Sequence, residues 1–486
     1  MATVTALPDT RSRNTSASTT EGRNSAWLLA FCSVVAVCLL GYHPYAEDGG
    51  IYASALSLRL DPSLFPAYRE FVVAHTGKSL FIPIVGALVR LSHMSQGVAM
   101  FALYVVSVVA TLAALMRLGR TLLPSERQRQ WATLLLAVSL GMPVGGTSLY
   151  LVDPYLTARS FSTPLIVLAL SMLLERRYGV VAVCMAVAFA IHPLMTLWAV
   201  FPVALVLVWQ QAKRPVRGAV VAGLVFVGVM GTVQALLPAD AAAVRAASLS
   251  RSYWFLSQWQ WYEWIGLIAP CALLLCLVGM PSVYEEFRDD ARLLACAAVA
   301  AMLTVSVASL LWIHTGNAAF LLARMQPLRL LHPVYLVFLM LLAGWLSKVA
   351  GASLKAWTAF GVLLCSSACG MLYLQRTTYP NSSHMELPWN TSDNGYVQAA
   401  EWIRANTEKD ALVATDANYT TASGEDAQML RAIALRSTVP DAAKDGGISS
   451  VMPVLASAWM AGSQAQAGLA KLPDAERITR VKPLGA

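Results

Sequence analysis

The sequence predicts an α-helical polytopic membrane protein with about eleven transmembrane helices, an interfacial helix and a small soluble C-terminal domain of α/β or α+β type. Composition is the first reason. Hydrophobic residues make up 57% of the 486 and charged residues 13%, with a mean hydropathy of +0.58, which is outside the range of a soluble chain of this length. The second reason is periodic. Apolar runs suited to a hydrocarbon core of about 30 Å recur from Trp27 onward, separated by short segments where Arg, Lys, Asp, Glu, Pro and Trp collect. Runs of that kind specify a helical bundle and not a barrel, whose strands alternate in polarity.

Residues 1–24 are rich in Thr, Ser and Asn and are expected to form a disordered cytoplasmic tail. Residues 25–373 are expected to form the bundle. Its first span, 27–41, has no Ala-x-Ala cleavage pattern and reads as retained. An outer loop, 42–97, follows. The apolar stretch 79–91 inside it contains Pro83 and runs into Arg90 and His93, so it suits an interfacial or re-entrant helix better than a crossing. The remaining spans are expected at 98–116, 131–147, 161–174, 178–191, 194–209, 218–236, 262–279, 293–313, 334–346 and 357–373.

Charge orients this series. Arg117, Arg120, Arg127, Arg129, Arg176 and Arg177 fall in alternate connections that carry the excess of basic residues, so the N-terminus is expected inside the cytoplasmic (inner) membrane and the C-terminus outside. The formal charge of +8 is then a matter of membrane orientation and requires no nucleic-acid partner. All eight cysteines fall in apolar spans and read as core filler.

Residues 374–486 have ordinary soluble character. Val397, Ala400, Trp402 and Ile403 share a helical face over 395–406, and 411–415 reads as a buried strand. Glu425, Asp426, Arg431, Arg436, Asp441, Lys444 and Asp445 read as solvated charge and surface ion pairs, with contact to a substrate as the second reading.

The residues with chemistry lie near the outer helix ends. The outer loop opens Tyr42-His43-Pro44-Tyr45-Ala46-Glu47-Asp48-Gly49-Gly50-Ile51-Tyr52, and beside a Gly-Gly turn both carboxylates can face one pocket as a general base and a metal or hydroxyl ligand. Complementary groups follow: Asp153 and Arg159 in one outer segment, His192 before Pro193, Arg251 and Trp259 in another, and Arg324, Gln326 and Arg329 before the tenth span. Guanidiniums there suit bidentate recognition of phosphate, and indoles suit sugar stacking. The plainer readings are an aromatic belt for the tryptophans, a helix-break cap for His192, and topology or packing for the arginines.

In layout the chain resembles the GT-C superfamily, polytopic glycosyltransferases that use polyprenyl-phosphate-linked sugars. The likeness rests on the acidic Glu47-Asp48 pair in the first outer loop, the interfacial helix after it, the many spans and the soluble outer domain. Segments 155–161, 258–264, 326–329 and 379–388 also resemble those of uncharacterised bacterial membrane proteins with this layout. The resemblance implies an inverting transfer in which Asp48 takes the proton of an acceptor hydroxyl while Glu47 orients the acceptor or holds a divalent cation, Mg or Mn. Arg159, His192, Arg324 or Arg329 would meet the departing phosphate, and Tyr52, Asp153, Arg251 and Trp259 would line the substrate site. Its partners would be a lipid-linked sugar donor, an acceptor and the bilayer. Two other classes compete: a transporter or lipid flippase, which places ionisable residues at the bilayer midplane, and a non-catalytic membrane scaffold.

Overall fold

The structure, a computed structural model, describes residues 11–211, 215–279, 289–351, 353–422 and 424–485. Among these, eight helices are long and apolar enough to cross a membrane. In chain order the elements begin with α1 (Arg11–Leu40), α2 (Glu47–Leu60), α3 (Arg69–Thr76), α4 (Phe81–Ser92), α5 (Gln96–Leu122), α6 (Glu126–Ser139), α7 (Arg159–Leu174), α8 (Tyr178–Ile191) and α9 (Pro193–Gln211). They continue with α10 (Pro215–Leu236), α11 (Ala242–Leu249), α12 (Trp261–Gly279), α13 (Asp289–Trp312), α14 (Leu331–Ala350) and α15 (Leu354–Thr378).

These eight are α1, α5, α9, α10, α12, α13, α14 with the turn before it, and α15. The other three expected spans, α6, α7 and α8, are helical but only 14, 16 and 14 residues long, about 21–24 Å at 1.5 Å per residue. The shortfall of α6 has a local cause. A capping box between Ser125 and Gln128 starts it at Glu126, and Pro143 disfavours helix just before itself, so residues 140–158 leave the helix and form a loop. Arg11–Asn24, expected as a disordered tail, instead continues α1 toward the N-terminus. Extending an existing helix costs little compared with nucleating one. The remainder of that expected tail, 1–10, lies outside the described residues.

The short outer apolar segment is a helix bent through 100° against α3. On α4, Phe81, Ile82, Val85 and Val89 are buried while Ile84, Leu88 and Leu91 are exposed, an amphipathic division suited to a bilayer surface. Of the cysteines, Cys32, Cys184 and Cys271 are buried, but Cys38, Cys276, Cys365 and Cys369 are exposed on the outer faces of their helices. For a bundle in lipid, an apolar thiol needs no burial in protein.

The C-terminal domain is mainly helical: α16 (Gly395–Asn406), α17 (Leu430–Ala434), α18 (Asp445–Val451), α19 (Pro453–Gln466) and α20 (Asp474–Val481). Asn394 caps α16 by accepting from the Tyr396 and Val397 N–H groups, and Val397 and Ala400 pack with Tyr419, Leu430 and Ile433. The expected strand shrinks to β1 (Leu412–Val413), paired in parallel with β2 (Ser437–Thr438). Only backbone ladder and little sheet remains of the α/β expectation.

This domain sits on the bundle's loops. α17 packs on α2, α18 on α3 and α11, and α19 on α11, with Phe71, Ala247, Leu455 and Trp459 forming the apolar contact. Gly50 allows the approach to α17: a Cβ there would lie 2.4 Å from the Met429 Cβ. The charged cluster expected on the surface is largely internal. Asp445 is fully buried, accepts from Arg431 at 2.6 Å and from the Asp441 N–H at 2.8 Å, and meets His75 of α3 at 3.1 Å. Several partners per charge offset the loss of hydration that burial imposes.

Candidate functional site

Between one set of helix ends and the C-terminal domain lies a cavity of about 410 Å³. The sequence elements that build it are the start of α2, the 140–158 loop, the α8–α9 break, the segment after α11, the turn before α14, and the start of α18. Glu47, Asp48, Tyr52, Arg159, His192, Arg251 and Arg329, all singled out in the sequence, line this one space.

Glu47 and Asp48 occupy the first turn of α2, where unpaired N–H groups and the helix dipole favour negative charge. Glu47 adopts a left-handed conformation, φ 51°, which costs a non-glycine residue about 1 kcal/mol. It is held there by its N–H donating to Ala427 O at 3.0 Å and by the ammonium of Lys444 on its carboxylate. Asp48 lies 3.7 Å from the Lys444 Nζ and 3.7 Å from an Arg159 Nη2. Burial pushes its carboxyl up, but Lys444, Arg159, Arg329 and Arg251 together more than offset this and hold it well below the usual carboxylate range. Asp48 is therefore ionised throughout the physiological range.

The glycines beside it serve packing. A Cβ on Gly49 would lie 2.7 Å from Pro44 O and 2.9 Å from the Tyr155 Cβ, so Gly49 brings α2 against the loop that carries Arg159 and Gly50 brings it against the C-terminal domain. The expected Gly-Gly turn is instead part of the first turn of α2, where the pair sets close contact between elements.

Asp153 does not face the cavity. It is buried behind Arg159 and accepts from its Nε at 3.0 Å and Nη2 at 2.7 Å, which fixes the guanidinium against Asp48. His192 accepts from the Met195 N–H at Nδ1, 3.2 Å away, so the remaining proton of the neutral ring sits on Nε2. Burial, then Arg329 and Arg159, push its pKa well below the ordinary value, so it stays neutral and presents a hydrogen-bond donor. Tyr52, pushed up to about 12 mainly by burial, keeps its hydroxyl proton.

Arg329 donates Nε to Gln326 Oε1 at 2.6 Å, and Arg251 donates Nη2 to the carbonyl of Lys444 at 2.7 Å. Among the described residues neither guanidinium has a carboxylate within 4 Å. Two further sequence candidates fall elsewhere. Arg324 is paired with Asp240 at 3.0 Å, outside the cavity lining. Trp259 is buried against Gly146 and donates its indole N–H to Tyr253 O at 3.2 Å; its neighbours Tyr253 and Trp254 reach the cavity, as do Tyr52 and Tyr155.

The sequence places Lys444 in a polar cluster read first as solvated surface, and it gives no signal for His75 or Ser148. Lys444 arrives through a contact between segments about 400 positions apart, 397 by number, and no local pattern signals it. Both carboxylates face cations: Glu47 meets Lys444, and Asp48 lies near Lys444 and Arg159.

The cavity thus combines ionised Asp48, a neutral histidine, tyrosine hydroxyls and an excess of fixed positive charge. That arrangement can accept a proton from a hydroxyl and bind an anion beside it. No protein-family model matches the chain, and no curated protein matches it significantly. What the structure defines is the class of a helical membrane-embedded protein with a cavity in which cationic side chains outnumber acidic ones.

Proposed function

We propose that the chain is a GT-C-like membrane glycosyltransferase that moves a sugar from a polyprenyl-phosphate donor to an acceptor hydroxyl, with inversion. The observation that carries this reading is the pair of guanidiniums, Arg251 and Arg329, which enter the cavity of Asp48 without carboxylate partners. Both are only partly exposed, and a phosphate from the donor would supply a counter-charge with matching fork geometry.

In the proposed reaction the acceptor oxygen attacks the anomeric carbon and its proton passes to Asp48. A new C–O bond forms, the bond from the anomeric carbon to phosphate breaks, and the electron pair leaves with the lipid phosphate. Arg329 and Arg251 meet the charge that grows on that oxygen, and the Nε2–H of His192 adds a neutral donor. Arg159, clamped by Asp153, holds Asp48 in place. No step passes through a metal.

The proposed setting is the cytoplasmic (inner) membrane, with the N-terminus inside, the C-terminal domain outside, and α4 at the bilayer surface beside the donor's lipid. Exposed apolar helix faces and the 100° bend before α4 support the bilayer contact. An alkaline phosphatase fused after Ala486 is expected to be active; activity of a cytoplasmic reporter there instead would overturn the sidedness. The function itself is tested by incubating the purified full chain with labelled polyprenyl-phosphate sugars and scoring sugar release or transfer. Complete inertness across donors, with a phosphate-free lipid bound equally well, would overturn it.

A further inference from the structure

The C-terminal domain contributes Thr420, Thr421, Lys444, Ile448 and their neighbours to the cavity wall, and Lys444 is the charged one. Its main chain is anchored on both sides. The Lys444 N–H donates to Asp441 Oδ1 at 2.6 Å, its carbonyl accepts from Arg251, and the next residue is the buried Asp445 held by Arg431 and His75. From this fixed base the side chain extends into a space that also holds Glu47, Asp48 and the guanidiniums of Arg251 and Arg329. Its ammonium sits on Glu47, whose side chain is 40% exposed, and not symmetrically between the acids.

From this geometry we propose that Lys444 is a positioning residue that exchanges its ammonium between Glu47 and the phosphate of the arriving donor, so that the C-terminal domain registers donor binding and releases one of the two cations that flank Asp48. The inference rests on the phosphate reading given above. A lysine suits this exchange because its compact charge swings on a flexible stem, whereas the Arg159 fork is locked by Asp153. Loss of one flanking cation, together with a new negative charge nearby, makes Asp48 a stronger proton acceptor when an acceptor hydroxyl can use it. Glu47 is then the resting partner that keeps the ammonium in the cavity.

The test is inorganic pyrophosphate binding to the purified full chain by calorimetry, which needs no turnover. Lys444→Met is expected to weaken binding about tenfold or more, and Lys444→Arg to retain most of it. Glu47→Gln is the deciding variant. It removes the competitor for the ammonium and is expected to tighten pyrophosphate binding several-fold, and by more than the same change made in the Lys444→Met background, where only the loss of a nearby negative charge acts; equal tightening in both backgrounds overturns the exchange. Wild-type binding with Glu47→Gln unchanged or weakened, at an unchanged melting temperature, overturns the exchange and leaves the phosphate reading standing. No pyrophosphate binding by the wild type, alongside no donor turnover, overturns both.

Discussion

Asp48→Asn separates a catalytic carboxylate from a structural one. Its carboxylate is 3.7 Å from each of two cations; with an effective dielectric of about 20, each pair has a gross attraction of about 4 kcal/mol. The side chain is 38% exposed, so solvent screening and the loss of hydration reduce the net value to about 1 kcal/mol or less per pair. Both cations also keep another partner, Asp153 for Arg159 and Glu47 for Lys444. The asparagine variant should therefore lose about 1–2 kcal/mol and melt within about 4 °C of the wild type. A missing general base, in contrast, lowers transfer by about 10²–10⁴, equivalent to about 3–5 kcal/mol of barrier. The assay is transfer from a labelled polyprenyl-phosphate sugar at matched protein, with melting followed in the same detergent. Wild-type turnover in the variant would refute the base assignment. A large drop in melting temperature that tracks the activity loss would identify Asp48 as a structural ion-pair member.

Arg329→Lys keeps the charge but loses the fork, and is expected to raise the donor KM about tenfold with the fold intact; equal KM would assign Arg329 to packing. Gly50→Ala places a methyl against Met429 and Tyr45 O, and is expected to cost about 1–3 kcal/mol, read as faster protease cleavage of the C-terminal domain. Asp445 is pushed up by burial but held below the usual carboxylate range by Arg431 and His75, which outweigh it. A lowered folded pKa gives stability that is complete above the unfolded value of about 4 and is lost as pH falls below it. The melting-temperature gap between wild type and Asp445→Asn should accordingly be widest near neutral pH and narrow below about pH 4; a gap independent of pH would refute the charge argument. Excess chelator is expected to leave transfer unchanged, and loss of activity restored by Mg or Mn would return Glu47 to a metal-binding role.

Much of this was legible from residue order because the bilayer constrains helices locally. Apolar length and flanking charge mark α1, α5, α9, α10, α12, α13 and α15 without reference to neighbours, and the amphipathic face of 395–406 coincides with α16. Glu47, Asp48, Arg159, His192, Arg251 and Arg329 were visible as polar groups out of place beside apolar spans. Where reasoning from sequence went astray, distance along the chain was the cause. Arg324 differs from Arg329 in finding Asp240, 84 positions away, and Trp259 differs from Trp254 in lying on Gly146.

What the sequence by itself determined is therefore the solvent of each segment, since hydropathy acts residue by residue, and the identity of the groups unusual for that solvent. The tertiary structure alone decided which of those groups meet. Asp153 withdraws behind Arg159, Lys444 leaves its own domain to sit on Glu47, and Arg251 and Arg329 face the cavity with no carboxylate partner among the described residues. Pairing of charges depends on separations of a few ångströms, set by close contacts such as Gly49 on Tyr155 and Gly50 on Met429, and spacing along a chain carries no such information.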